Sequence, residues 1–492
     1  MSNDSDPAHT DRPNLEQKRK LAKDLLKAVK RLDGRSAARF TWNHPRFRGK
    51  TGQDVMREGV TLVEAQHVIA RESGFDSWPK LKEYVRLLEV EPDGLVAAFE
   101  DAVHATIRGD SKRLRAVLQA HPEIATMRST RRHRCVLPHY IAANGVENEH
   151  QVVPPNALEI ARILFDAGAA AVVDATADIY GSGPGSTPLV ALVSSTHPHE
   201  MGVQGELVHT FCEAGASVNG IEDDGLPIHV ALGFRYPQAA SALAECGARI
   251  DNLPSAAGLG RLDLVEAYLD ESSQLVSHAC HFPNPKHDGF PRSVAPHPSA
   301  TLQQALVFAC MSGHTAIAKR LLDHGVDVNG GPRRGITALH EACYQGQAEA
   351  AHLLLQHGAD PTIRDEMWDS TAIGWADGGK QSNLIEWLFN LSRVDILDAV
   401  ELSRFGIVRR LLEADPSLAN APQGQGAALR HAAFKSNLQM ARLLLEFDAD
   451  PTLRNENGHS ALDFAEKSNH QEMIRLLTAA TQRKRTLKEK GD

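Results

Sequence analysis

A glycine followed by alanine or valine recurs behind leucine-rich helical runs at Gly168, Gly215, Gly247, Gly325 and Gly358. Two of the steps, 325 to 358 and 215 to 247, are 33 and 32 residues; the others, 47 and 78, exceed one and two periods and imply insertions. A unit this short cannot bury its own apolar faces, so a chain built from it folds only by stacking each unit on its neighbours. The clearest unit starts at Gly335 and reads GITALHEACYQGQAEAAHLLLQHGADPTIRD. Thr337 sits where a hydroxyl caps the first amides of a short helix, and Ala338, Ala342 and Cys343 keep that helix thin. Leu353, Leu354 and Leu355 give a second helix its apolar face, Gly358 follows where a positive φ costs least, and Ala359-Asp360-Pro361 turns the chain away.

This unit resembles the ankyrin repeat, whose T-P-L-H-x-A core and period of ~33 residues it shares. Counting outward gives about eleven such units between residues 95 and 480, about four-fifths of the chain. The first, fifth and ninth lack the core, and the eighth puts Trp375 and Trp387 where small or aliphatic residues are usual. The resemblance implies an all-α ankyrin-repeat solenoid with inner helices and finger loops lining a concave face.

Residues 15–92 read as a helical module in front of the array. Leu21, Leu25, Val29 and Leu32 form one helical stripe; Thr61-x-x-Glu64 opens a second helix carrying Leu62, Ala65 and Ile69; Gly74-Phe75 breaks it and Ser77 starts a third. The run IARESGFDSWPKLK resembles half of a helix-turn-helix, which would present Lys80, Lys82, Tyr84 and Arg86 to DNA, and also a module that commonly precedes bacterial ankyrin arrays. The second resemblance makes residues 15–92 a cap on the first repeat. The expected organisation is a disordered N-terminus (1–14), the cap (15–92), the repeats (93–480) and a solvated basic tail (481–492).

Charge is uneven: residues 1–92 carry +4 and the rest −13 within a total of −9, and residues 15–50 alone carry +9. No apolar run reaches the ~20 residues that cross a bilayer, and MSNDSDPAHTDRPN has no export-signal pattern. Six cysteines spaced 30 to 77 residues apart, without CxxC, fit reduced thiols in the cytoplasm.

Chemical motifs are few. His278, Cys280, His281, His287 and His297 cluster without zinc-site spacing; GWADGGKQ (374–381) lacks the final hydroxyl of a P-loop, and GSGPGST (181–187) has no βαβ context. His340, His229 and His431 read as structural histidines at helix starts. No cofactor, metal site or catalytic residue is expected.

Two regions exceed what bare stacking needs. The insertions GVENEHQVVPP and SSTHPHEMGVQ fall at the same place in the second and third units, so stacking would set them side by side. They look like an elaboration of some bacterial ankyrin proteins. Tyr140, Asn144, Glu147, Asn156, Ser195, His197 and Gln204, with Tyr180 and Thr187, would supply donors and acceptors for a small polar ligand there, or would tie down the long loops. The loop MRSTRRHR offers Arg128, Arg131, Arg132 and Arg134 to an acidic partner or to the acidic repeats themselves. The expected activity is non-enzymatic binding of a protein partner on the concave face; the alternatives are ligand binding or catalysis at the insertions and DNA contact through the module. Nucleic acid is not the expected partner.

Overall fold

The computed structural model describes residues 14–142, 152–179, 185–269, 275, 298–332, 334–391, 393–421, 428–455 and 457–491. Among them every named element is helical, and the only extended pairings are isolated bridges at Ala177 with Ser186 and Leu269 with Leu275. No helix among the described residues is long and apolar enough to cross a membrane. The chain divides into two compact units, one running through Ile250 and one from Asp251.

The first unit opens with α1 (Leu15–Lys30), α2 (Gly34–Asn43), α3 (Gly52–Glu58), α4 (Leu62–Glu72) and α5 (Trp78–Val90). Asn14, Asp33, Thr51, Thr61 and Ser77 each accept a backbone amide at the helix start, and Thr51 and Thr61 complete reciprocal capping boxes with Asp54 and Glu64. The expected stripe shifts by a residue: Ala22, Leu25 and Val29 are buried, whereas Leu21 is exposed and Leu32, at φ 63° beyond the helix, is 72% exposed. The aromatic pair Phe40 and Phe47 fills the space between α2 and α4, a contribution that the stripe did not reveal. Leu81, Tyr84, Val85 and Leu88 of α5 form one cluster with Ala97 of the next helix. Helix α5 thus packs apolar side chains against α6.

First helices of six to fourteen residues and second helices of seven to twenty-one then alternate. In the first unit the hairpins are α6 (Leu95–Arg108) with α7 (Ser111–Ala120), α8 (Leu137–Ala142) with α9 (Ala157–Asp166), α10 (Pro188–Val193) with α12 (Gln204–Glu213), and α13 (Leu226–Gly233) with α14 (Pro237–Glu245). A short α11 (Thr196–Glu200) occupies the insertion of the third. In the second unit they are α15 (Leu253–Gly258) with α16 (Leu262–Tyr268), α17 (Pro298–Met311) with α18 (Thr315–Asp323), α19 (Ala338–Tyr344) with α20 (Ala348–Gln356), and α21 (Ala372–Gly378) with α22 (Ser382–Leu388). There follow α23 (Ile396–Glu401) with α24 (Phe405–Ala414), α25 (Ala428–Phe434) with α26 (Leu438–Glu446), and α27 (Ala461–Lys467) with α28 (Gln471–Gly491). Residues 481–491, expected as a separate tail, continue α28: their lysines and arginines keep good helix propensity with no glycine or proline before Gly491.

First helices stack on first helices and second on second, as α17, α19 and α21 do, and as α9, α12 and α14 do. Three periodic devices hold this register. Gly168, Gly215, Gly247, Gly325 and Gly358 end the second helices at φ between 89 and 103°, a region in which a side chain would be strained. In four of the loops an Asn or Asp then accepts the amide of the equivalent loop one repeat on: Asp174 from Ser217 (2.9 Å), Asn219 from Arg249 (2.8 Å), Asn329 from Asp360 (2.8 Å) and Asn420 from Asp450 (2.6 Å). Finally, an amide at the start of a second helix donates to a carbonyl of the preceding repeat: Asn156 to Gly109 (2.9 Å), Gln347 to Met311 (3.4 Å) and Gln381 to Tyr344 (3.3 Å).

Candidate functional site

The insertion residues divide into those committed to the repeat and those at the surface. Asn156 makes the inter-repeat tie just described and also donates to Ser111 Oγ (2.9 Å). Thr187 caps α10 by accepting from Val190 N, and Gln204 Nε2 donates to the carbonyls of Leu192 (2.9 Å) and Ser195 (3.2 Å), closing the insertion. Tyr140 is buried in α8, edge-on to Phe99 and His133. Ser195 is fully buried and its Oγ has no hydrogen-bond partner among the described residues, while His197 is exposed on α11. Asn144, Glu147 and Tyr180 lie outside the described residues, as does the expected contact between the two insertions. A residue that the sequence reading passed over fixes α11: Tyr236, at the start of α14, hydrogen-bonds Thr196 (3.0 Å) and stacks on His199 (4.4 Å between ring centroids).

The arginine loop turns inward. Arg131 pairs with Glu100 of α6 at 2.6 Å, with side chains only 16% and 11% exposed, and its guanidinium lies 5.9 Å from the Tyr84 ring. Burial, then the Glu100 charge, pushes the Tyr84 hydroxyl above its ordinary pKa. Arg132 donates its backbone amide to Gly74 (2.7 Å) and approaches Asp76 and Asp178, both at 3.6 Å. Arg128 donates to the carbonyls of Arg134 (3.0 Å) and Thr176 (2.7 Å); Arg134 is exposed at φ 57°. An acidic partner on this loop would compete with Glu100, Asp76 and Asp178 of the same chain. The same packing removes Tyr84 from any nucleic-acid surface, and Lys80 and Arg86 pair with Asp76 (2.6 Å) and Glu83 (2.8 Å).

Histidines at the helix starts have structural work. The ring of His340 accepts from Thr337 N at Nδ1 (3.0 Å) and faces the carbonyls of Ile363 (3.1 Å) and Ser370 (3.2 Å) at Nε2. His139 repeats the arrangement with Val136 N (3.3 Å) and Ser186 O (3.1 Å). Burial lowers both to a pKa of about 4, and His133 to about 3. His431 departs from this pattern, because Arg430 takes the third position of α25 that His340 takes in α19. Among the described residues no His, Cys, Asp and Glu group is placed to hold a metal; the histidine-rich segment 278–297 lies outside them. The P-loop-like segment is a helix and turn in which Gln381 serves the inter-repeat tie.

What the sequence reading missed is a pair of aromatic clusters on the first helices of the second unit. Tyr344, last residue of α19, meets Trp375, fourth residue of α21, at 6.0 Å; Phe434, last residue of α25, meets Phe464, fourth residue of α27, at 6.1 Å. The two pairs occupy the same positions three hairpins apart. Trp375 is held by its Nε1 donating to Asp365 (2.9 Å), which also accepts the amides of Met367 and Trp368 (both 2.8 Å). Burial opposes ionisation of Asp365, but those hydrogen bonds prevail and keep its carboxyl below the ordinary range. The result is a fixed loop tip on which Trp368 stands 58% exposed, 5.2 Å from Trp375, beside exposed Met367. Phe434 is 64% exposed. The readable signal was the unusual MWDS inside a finger loop.

The family model described as ankyrin repeats matches residues 255–365 and 396–486, both in the second unit. The human mitochondrial disaggregase is 27% identical over 251 residues, 49% of this chain and 32% of that protein. The zebrafish (Danio rerio) Notch-regulated ankyrin repeat-containing protein B is 39% identical over 56 residues, 11% of this chain and 50% of that protein. The chain thus spans between a third and a half of the curated relatives it matches. Among solved structures, the human ASB11 ankyrin repeat domain is similar at 28% identity over 46% of this chain and 96% of its own, with a TM-score of 0.28. The complex of a Bdellovibrio bacteriovorus predatory endopeptidase with an immunity protein is similar at 22% identity, 35% and 96% coverage, with a TM-score of 0.28.

Proposed function

We propose that this chain, whose residues 255–365 and 396–486 are ankyrin repeats, binds a protein partner non-enzymatically along the concave first-helix and finger surface of its second unit. The observation that carries the reading is the repeated aromatic pair, Tyr344 with Trp375 and Phe434 with Phe464, with Trp368 held out at a rigid finger tip. Aromatic side chains anchored from behind lose little entropy on docking, and Trp and Tyr dominate the energetics of protein interfaces. At ~10 Å between packed helix layers, positions three repeats apart suit an extended segment or a helix rather than a small ligand. Buried thiols at Cys310 and Cys343 support a reducing compartment such as the cytoplasm.

The test is cross-linking and affinity capture with the full chain, followed by titration of each captured protein against Trp368→Ala and Phe434→Ala. Loss of about 2 kcal/mol or more of binding with an unchanged melting curve supports the surface. Affinities indifferent to both variants, but lost on reversing Arg134, place the interface on the first unit instead. A second reading, a small polar ligand at the insertions, is supported by Ser195, buried with a hydroxyl unpaired among the described residues, beside exposed His197. A metabolite that raises the melting temperature of the wild type but not of Glu147→Ala/His197→Ala would favour it.

A further inference from the structure

The second helices of the third and fourth repeats bring together a group that stacking does not require. On α12, His209 and Cys212 lie one turn apart; Cys246 caps the end of the neighbouring α14 just after Glu245. His209 Nδ1 is 3.4 Å from Cys246 Sγ, and its Nε2 is 3.1 Å from Glu245 Oε2. Burial, then hydrogen bonding and charge from Cys246, pushes the Cys212 thiol up, an effect that needs the two thiols side by side on the packed helices, and both are half-buried rather than sealed. They stand 34 residues apart, about one repeat, which is how two adjacent second helices present side chains to each other.

The hydrogen-bond roles follow from the donor inventory. An ionised carboxylate only accepts, so Glu245 fixes the proton on Nε2 and leaves Nδ1 as the acceptor facing the Cys246 thiol. A thiol beside an oriented imidazole is the arrangement that generates a thiolate nucleophile. Because Cys246 and Glu245 engage opposite ring nitrogens, the imidazole cannot direct both toward one metal ion, and no metal-holding group is found here among the described residues. Cys310 and Cys343, by contrast, are fully buried, and burial alone pushes their thiols up.

We propose that Cys246 and Cys212 form a hydroperoxide-reactive dithiol site, with Cys246 the attacking sulfur, His209 its base and Cys212 the resolving thiol. The Cys246 proton passes to His209 Nδ1. The thiolate attacks the distal oxygen of ROOH, the O–O bond breaks, and the departing alkoxide takes the proton from His209, giving Cys246–SOH and ROH. Cys212 then attacks the Cys246 sulfur; the S–S bond forms, the S–O bond breaks, and hydroxide leaves as water with the Cys212 proton. The balance is two thiols and one hydroperoxide to one disulfide, one alcohol and one water. The assignment of roles agrees with Cys212 being held protonated, by burial first and then by hydrogen bonding and charge from Cys246. The product staples the third repeat to the fourth.

The test uses the full-length reduced chain and hydrogen peroxide. Two of the six thiols should disappear, and a non-reducing peptide map should join Cys212 to Cys246. In Cys212→Ser a sulfenic-acid trap should label Cys246, and His209→Gln should slow that labelling at pH 7 by about tenfold or more while leaving the melting temperature in place. Oxidation that spreads over other cysteines, or begins at Cys280, overturns the proposal on the wild-type map alone, whatever the variants do. Retention of stoichiometric zinc that shields both thiols from peroxide also overturns it, in favour of a metal site.

Discussion

His139 in the first unit and His340 in the second occupy one position of one repeat, with the same two hydrogen bonds, yet the finger loops beside them are partnered in opposite ways. Next to His139 the finger loop folds its arginines onto the chain, Arg131 on Glu100 and Tyr84, Arg132 on Asp76 and Asp178. Next to His340 the finger loop is braced from within by Asp365 and leaves Trp368 outside. The backbone frame is common; what differs is whether the loop's long side chains find partners in the same unit. A finger whose long side chains pair with other residues of its unit becomes a joint, and one whose tip stays exposed leaves a surface.

The sharpest way to break this comparison is to remove the joint. Arg131→Ala leaves Glu100 buried without its cation, and the loss of one partner of such a pair costs about 3–5 kcal/mol. Urea unfolding followed by hydrogen exchange should show the loss in α5, α6 and the finger loop of the first unit. The same measurement on Trp368→Ala should move stability by less than about 0.5 kcal/mol, as for other surface substitutions. Equal effects of the two would erase the distinction between joint and surface.

A smaller effect is expected at the shared histidines. Their folded pKa of about 4 lies below the ordinary value of 6.5 because burial penalises the charged ring. The unfolded chain therefore binds protons first as pH falls, so the stabilisation from each neutral histidine is complete above pH 6.5 and is lost between 6.5 and about 4. His139→Gln and His340→Gln should each cost on the order of 1–3 kcal/mol at pH 7.5, from two buried hydrogen bonds left imperfect, and less at pH 5. A cost that stays constant with pH would mean that the rings are not what titrates.

Much of the frame was readable from sequence and most of the surface was not, for one physical reason. Gly358, Thr337 and the leucine run of 353–355 are demanded by backbone geometry and stacking, so they recur with the period and stand out. The capping boxes at Thr61 and Ser77's cap were legible because local spacing alone makes them. By contrast, the Arg131–Glu100 pair joins residues 31 apart through packing, and nothing in RSTRRHR distinguishes a docked loop from a solvated one. Asn156 and Gln204 looked like ligand donors for the same reason: a polar side chain in an insertion reads alike whether it faces a ligand or a backbone carbonyl. Cys212 and Cys246 carried a usable signal in their one-repeat spacing, but only the register of α12 against α14 turns it into a contact.

The effect that most sharpens the comparison, read only as a change of slope with pH, lies at Asp398 in α23. Its carboxyl is buried, accepts from Thr371 Oγ1 at 2.6 Å, and sits near Asp395, Glu401 and Arg364. Burial first, with Asp395 and Glu401 adding to it against the pull of Thr371 and Arg364, raises it to about 7 from an ordinary 3.8. Here the folded state binds the proton more tightly, so stabilisation is complete below pH 3.8 and is lost as pH rises to about 7, the reverse of the His340 sign. Over pH 4 to 6.5 the two groups therefore oppose each other within the second unit, while His139 in the first unit has no such counterweight among the raised carboxylates of the described residues. Asp398→Asn keeps a neutral partner for Thr371 and removes the titration. Exchange protection of α21 to α25, measured from pH 4.5 to 8, should then rise with pH more steeply in the variant than in the wild type, exposing the His340 dependence that Asp398 masks. If the two slopes coincide, Asp398 ionises at an ordinary pKa, and the opposed signs that separate the two units at this position disappear.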